Sequence, residues 1–300
     1  MDMLTKLIRT QTAKQEAQLE NWLKTRTETI PFPADVRLYE NLDYMGDGQM
    51  CHRMDVFVPA DHTDALPLVI DLHGGGFLLG KKEANRLFCA DLCKRGYVVF
   101  CPEYPLCPDA TVFAILRTLQ SAIDKICATA PEYGGDPARL YLCGDSAGAW
   151  LCVYLAAMEA CPELANAATM QTVTNHPIRA IGLQSGMFYT RRLDKIGLFL
   201  PGMIYGKHWH RHPFSPYMDP ENPALLHALP PTYLVTAYGD FLRHYSRDFA
   251  KALDHAGIPH RFCDITAGVN LPHAFPAMLP ENPYAQKANA KMAQFFAAQE

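Results

Sequence analysis

The 300-residue sequence predicts an α/β protein: one mostly parallel sheet of eight strands, with helices on both faces. Three observations carry this expectation. From about Pro67 onward, short apolar β-prone runs alternate with helical patterns. The first of those runs, Leu68-Val69-Ile70-Asp71-Leu72, is nearly continuous, as in a strand buried on both faces. A third run, Arg139-Leu140-Tyr141-Leu142-Cys143, leads through Gly144-Asp145-Ser146-Ala147-Gly148 into an Ala- and Leu-rich helical stretch over 149–161.

Taken in order, residues 1–30 place Leu4, Leu7 and Ile8, then Leu19, Trp22 and Leu23, on a helical face, and Pro31 and Pro33 end it. Strands are expected at 36–39 and 53–58 as an antiparallel opening pair, with Tyr44-Met45-Gly46-Asp47-Gly48 as a turn between them. Further strands follow at 68–72, 97–101, 140–143, 179–183, 233–236 and 259–265. Helices are expected over 83–95, 111–128, 149–161, 241–255 and 283–298. One interval breaks the alternation. Between Leu183 and Tyr233 lie about fifty residues rich in proline and aromatics, where an insertion at a strand's C-terminal end would build a lid or pocket.

Composition narrows the function classes. A net charge of −4 offers no basic surface for nucleic acid. The ten cysteines sit mostly in apolar segments, and no C-x-x-C pair occurs, which suits buried free thiols in a reducing compartment. The first residues lack the apolar core of a signal peptide, and no apolar run reaches the ~18 residues of a membrane span. These features predict a cytoplasmic protein without a membrane span.

The pentapeptide around Ser146 fits G-x-S-x-G, in which a serine sits on a sharp strand-to-helix turn. A serine hydroxyl is a weak nucleophile, so it needs a base, and the base needs an orienting carboxylate. Asp240 follows the strand at 233–236, and His273 lies after the last strand and before the last helix. Asp240 could instead be a helix N-cap, and Asp248, Asp254 and Asp264 are rival acids, but those lie within the following helix or strand. The oxyanion of an acyl transfer needs backbone N–H donors. His73-Gly74-Gly75-Gly76 closes the first buried strand, so Gly75 with Gly76, or Gly74 with Gly75, could supply two, and Ala147 a third. A phosphate loop would need glycine spacings that are absent here.

His73-Gly74-Gly75-Gly76 and Gly144-Asp145-Ser146-Ala147-Gly148 together resemble the hormone-sensitive lipase family of α/β-hydrolase esterases. The likeness runs from about Pro67 to the C-terminus and includes Pro102-Glu103-Tyr104-Pro105-Leu106-Cys107-Pro108, Ala228-Leu229-Pro230-Pro231-Thr232 and Gly239-Asp240-Phe241-Leu242-Arg243. It implies an α/β-hydrolase fold with a helical cap, and a serine carboxylesterase without cofactor or metal. Its triad would be Ser146, Asp240 and His273, with oxyanion donors Gly74, Gly75 and Ala147. Residues 1–35 would be N-terminal cap helices, 36–185 and 216–300 the core, and 186–215 the cap insertion. The sequence departs from the family pattern at His244, at Ala149-Trp150 and at Pro105 after Tyr104, which bears on substrate preference and packing. The apolar cap favours short-chain, acetyl-type esters. The partner is then a small-molecule ester, not nucleic acid, and a homodimer is compatible with the sequence. Rival functions are an amidase or peptidase on the same fold, or a non-catalytic ligand-binding relative. His208, His210 and His212 have the spacing of a strand-borne metal site, but their proline-rich setting suits cap packing better.

Overall fold

The computed structural model describes residues 3–62, 64–170, 177–266 and 268–299, with the side chains of the first helix described from residue 10 onward. The expected face of Leu4, Leu7 and Ile8 lies outside the described side chains.

The chain opens with one long helix, α1 (Met3–Thr29), and then β1 (Val36–Asp43), β2 (Arg53–Pro59) and β3 (Leu66–Leu72). There follow α2 (Arg86–Cys93), β4 (Val98–Pro102), α3 (Val112–Thr129), β5 (Gly135–Asp145), α4 (Ala147–Ala160) and α5 (Pro162–Ala167). The second half contains β6 (Ile178–Gln184), α6 (Lys195–Ile204), α7 (Pro223–His227), β7 (Thr232–Ala237), α8 (Arg243–Ala256), β8 (His260–Ile265), α9 (Phe275–Met278) and α10 (Pro283–Ala297). The eight strands form one sheet in the order β1-β2-β4-β3-β5-β6-β7-β8. Among the described residues, only β1–β2 and β2–β4 pair antiparallel. From β4 onward all neighbours are parallel. The eight expected strands and the antiparallel opening are all present.

Alternation along the central strands divides two cores. Leu68, Ile70 and Leu72 of β3 face α3, α4 and α8, while Val69 and Asp71 face α2 and α10. The order in which strands are added reverses around β3: β4 lies on one side of it and β5 on the other. Such a reversal opens a crevice beyond the strands' carboxyl ends, where ligands bind in open α/β sheets. The loops after β3, β5, β6 and β7 all emerge there.

Helix boundaries differ from expectation where side chains hold the backbone in turns. The helix expected from 83 begins as a 3-10 turn, Lys82–Asn85, because Asn85 Nδ2 donates to both Asp71 Oδ2 and Asp145 Oδ1, each at 2.9 Å. α8 starts at Arg243 rather than 241, because Asp240 Oδ1 accepts the Leu242 N–H at 2.8 Å and shapes the preceding turn. Of the ten cysteines, all are free, and eight are buried.

Asp71 is the exception to an apolar interior. It is fully buried, and the thiols of Cys89, Cys101 and Cys143 and the amide of Asn85 all donate to it. Burial pushes its carboxyl up to about 6 against the opposing effect of Asn85. A carboxyl raised on folding contributes stability below its unfolded value, and that contribution is lost as pH rises through the folded value. Asp71→Asn should therefore remove a loss of roughly 3 kcal/mol between about pH 4 and 7. Thermal melts across that window should show the variant's Tm gaining a few degrees on wild type toward neutral pH. A difference that does not change with pH would contradict the assignment.

Candidate active site

Ser146 stands at the β5–α4 junction with φ 53° and ψ −112°, a backbone conformation that L-residues adopt only when the surroundings impose it. The surroundings are explicit. The Ser146 N–H donates to the Gln184 carbonyl of β6 at 2.9 Å, and its own carbonyl accepts the Met187 N–H at 2.9 Å. The flanking glycines permit the close packing. A methyl group at 148 would overlap the Leu72 carbonyl of β3, and one at 144 would crowd the same oxygen and the Gly148 backbone.

Asp240 and His273 meet across two loops. Asp240 Oδ1 accepts from His273 Nδ1 at 2.6 Å, and its Oδ2 accepts the Thr236 hydroxyl at 2.7 Å. Burial alone would raise this carboxyl, but the hydrogen bonds and charge of His273, with Thr236 and the Leu242 N–H, hold it below the ordinary range. The Nδ1 contact leaves Nε2 as the free ring nitrogen. It is buried, without a hydrogen-bond partner among the described residues. Ser185, at the end of β6 with φ 50°, accepts the Ala274 N–H on its hydroxyl at 3.0 Å and so steadies the histidine loop. The rival acids are engaged elsewhere: Asp264 with Arg243, Asp248 with Arg192, and Asp254 with His260.

The glycine loop after β3 bears on the expected oxyanion donors. The Gly74 N–H donates to Asp145 Oδ1 at 2.9 Å, so it is not available to a substrate oxygen. The N–H groups of Gly75 and Gly76 make no hydrogen bond among the described residues. Ala147 is the first residue of α4, where the N–H has no acceptor within the helix. Of the two glycine pairs open in the sequence, the geometry favours Gly75 with Gly76.

Residues not recognised from sequence secure this loop. His73 bridges the Gly74 carbonyl and Glu103 Oε1, each at 2.8 Å, and stacks on Tyr104 at 4.2 Å. The Tyr104 hydroxyl donates to the His73 carbonyl at 2.6 Å, and the Lys82 N–H donates to Glu103 Oε2 at 3.0 Å. With both ring nitrogens occupied, His73 is no rival base. The signal for Glu103 and Tyr104 was the 102–108 segment itself; Asn85 had none.

Ser146, His273, Gly74, Gly75 and Gly76 line one cleft of about 410 Å³. Its other walls are mostly apolar: Leu19 of α1, Leu79, Met187, Phe241, Leu242 and Met278. Among the described residues, the side chains of metal-ligand type that converge are Asp71, Cys89 and Cys101, away from this cleft's wall. Burial keeps those thiols protonated, and they act as hydrogen-bond donors. The histidine triplet does not form a strand face. Trp209–Arg211 is a 3-10 turn, His212 stacks on Phe113 at 4.2 Å, and His208 and His210 are exposed.

The sequence profile of a family described by the α/β-hydrolase fold matches residues 69–277, most of the chain and every element of this cleft except α1 and Met278. The chain belongs to this family. Within it, the paired glycine and serine motifs place it in the hormone-sensitive lipase-like group. Its sequence is 28% identical over 220 residues to an isoprenylcysteine alpha-carbonyl methylesterase of Arabidopsis thaliana, covering 69% of this chain and 50% of that protein. It is 27% identical over 244 residues to carboxylesterase NlhH of Mycobacterium tuberculosis, covering 79% and 74%. The chain thus spans about half the length of the plant relatives it matches. In fold it is similar to esterase B from Lactobacillus rhamnosis, with a TM-score of 0.90 and 23% identity over 100% of this chain and 96% of that one.

The close packing of α4 on β3 is directly testable. Gly148→Ala should lower stability by more than about 2 kcal/mol, because the methyl group meets backbone rather than a movable side chain. Gly202→Ala, in open space on α6, should be neutral or slightly stabilising. Urea unfolding of the two variants would separate these outcomes.

Proposed function

We propose that the protein is a serine carboxylesterase acting on short-chain acyl esters. The observation that carries this reading is the free, buried Nε2 of His273, held toward the same cleft as Ser146 by the Nδ1 bond to Asp240. In this reading His273 takes the Ser146 hydroxyl proton as Oγ attacks the ester carbonyl. The N–H groups of Gly75, Gly76 and Ala147 hold the oxyanion. The carbon–oxygen bond to the alcohol breaks, and the alcohol leaves with the proton from His273. Water then gives its proton to His273, attacks the acyl-enzyme, and releases the acid and the free serine. Asp240, kept ionised well into the acid range, fixes the imidazole tautomer and faces the charge that forms on the ring.

The modest apolar cleft supports short acyl chains. So does the Lactobacillus structure, whose esterase is inhibited by a tributyrin phosphonate. The methylesterase and carboxylesterase relatives support an ester substrate. The cap in this reading comprises the segment 1–35, whose single helix α1 brings Leu19 and Gln15 to the cleft, and the insertion 186–215, whose Met187 lines it.

Ser146→Ala should reduce p-nitrophenyl acetate hydrolysis by at least ~10³-fold with unchanged folding. Undiminished turnover would sink the proposal, and faster turnover of the matching anilide would favour an amidase. A wild-type protein that neither turns over esters nor accepts a fluorophosphonate on Ser146 would favour a binding role. A series of acyl lengths should peak at short chains.

Asp145 is a positioning residue in this scheme, acting through the glycine loop. Asp145→Ala should lower kcat by roughly 10–100-fold with KM nearly constant, as expected when oxyanion donors lose their alignment. An equal rise in KM alone would point to a binding role instead.

A further inference from the structure

The outward face of α6 is the reverse of what a surface helix normally presents. Lys195, Leu198, Phe199 and Gly202 are exposed at i, i+3, i+4 and i+7, so they share one stripe. The opposite face, Leu200, Pro201 and Ile204, is buried and anchors the helix. Leu198 and Phe199 are 66% and 63% exposed, and Leu193, just before the helix, is 93% exposed. Three of the most exposed large apolar side chains of the described chain therefore lie within seven residues.

Charge is segregated onto the same segment. Residues 186–215 carry Arg191, Arg192, Lys195, Lys207 and Arg211 against Asp194 alone, in a chain of net charge −4. Asp194 is occupied in capping α6 and in accepting the Tyr245 hydroxyl. Arg192 pairs with Asp248, and Arg191 donates to the Ser215 carbonyl. Lys195, Lys207 and Arg211 are exposed and form no ion pair among the described residues. Trp209, half-buried between Lys207 and Arg211, adds an amphipathic ring of the kind found at membrane interfaces.

We propose that this face, α6 with the basic turn that follows it, docks the protein on an anionic phospholipid surface. Apolar side chains would enter the acyl–headgroup boundary while the three free cations meet lipid phosphates. Charge complementarity selects this occupant. A second copy docked through the same patch would set these cations against themselves, whereas an anionic bilayer satisfies both the apolar stripe and its charged border. The acidic remainder of the chain would be repelled by that bilayer, so the patch also orients the molecule. The turn before α6 packs on α8 through Arg192–Asp248 and Asp194–Tyr245. Just ahead of α8, Phe241 stands 67% exposed in the wall of the Ser146 cleft. Docking would thus bring the cleft near a surface rich in amphiphilic molecules. The docking itself stands on the surface features alone and does not depend on the esterase reading.

Vesicle co-sedimentation tests it with the intact protein. Vesicles of phosphatidylcholine with roughly 30% phosphatidylglycerol should retain at least about tenfold more protein than pure phosphatidylcholine, and about 0.5 M salt should release it. Leu198→Ser/Phe199→Ser and Lys195→Glu/Lys207→Glu/Arg211→Glu should each cut retention by about tenfold or more while leaving Tm and near-ultraviolet dichroism unchanged. Single Lys195→Ala and Phe199→Ser variants, with intermediate losses, guard against misfolding of the multiple ones. No retention on either vesicle, equal retention on both, or retention indifferent to these variants would overturn the proposal. So would a concentration-dependent dimer that Phe199→Ser dissociates, since the face would then belong to a second copy.

Discussion

The site hangs on the buried carboxylate of Asp145. One of its oxygens receives both the Gly74 N–H and the Asn85 amide, so it ties the end of β5 to the loop after β3 and to the turn before α2. Burial raises its pKa, and the donors around it, Asn85 and Gly74 together with the charges of His273 and His73, oppose that rise. The residue that precedes the serine is thus a structural clamp. It sets where the glycine loop runs, and through that loop it leaves the next two N–H groups pointing at no partner of their own.

A second clamp works from the other side. His73, Glu103 and Tyr104 form a stacked, hydrogen-bonded unit that holds the glycine loop from below. Burial of His73 opposes protonation, yet Glu103 and the Gly74 carbonyl outweigh it and raise its pKa, so the pair is a stable fixture. Asn85 then extends the network to Asp71 and its three thiols. The loop that would meet a substrate oxygen is therefore fixed at both ends by buried polar groups. Those groups are costly unless satisfied, and each here has its partners.

The molecule's two unusual surfaces differ in kind. The cleft above Ser146 is apolar and walled by α1, the glycine loop and the loops after β6 and β7. The outer face of α6 is apolar and faces solvent, with Lys195 on the same stripe and Lys207 and Arg211 exposed in the turn that follows. The first fits the enclosure of a substrate in the proposed esterase. The second has no internal purpose in packing, since α6 is already anchored by its other face.

Local chemistry made much of this readable in the sequence. Apolar runs bounded by Gly and Pro located the strands, because a strand buried on both faces has no other composition available to it. The order of Ser146, Asp240 and His273 at strand ends indicated a shared edge, because parallel strands bring their carboxyl ends together. Partnership is a matter of three dimensions. Gly74 and Gly75 are alike in sequence, and only the position of Asp145 shows that the Gly74 N–H is already engaged. Asn85 reads as an ordinary helix residue until β3 and β5 place two carboxylates beside it. The triplet of His208, His210 and His212 had strand spacing, but a turn and the Phe113 ring set its shape. Sequence alone determined which residue types stand at the edge of the sheet. Tertiary structure decided which of their donors and acceptors remain free, because hydrogen-bond satisfaction depends on neighbours distant in the chain.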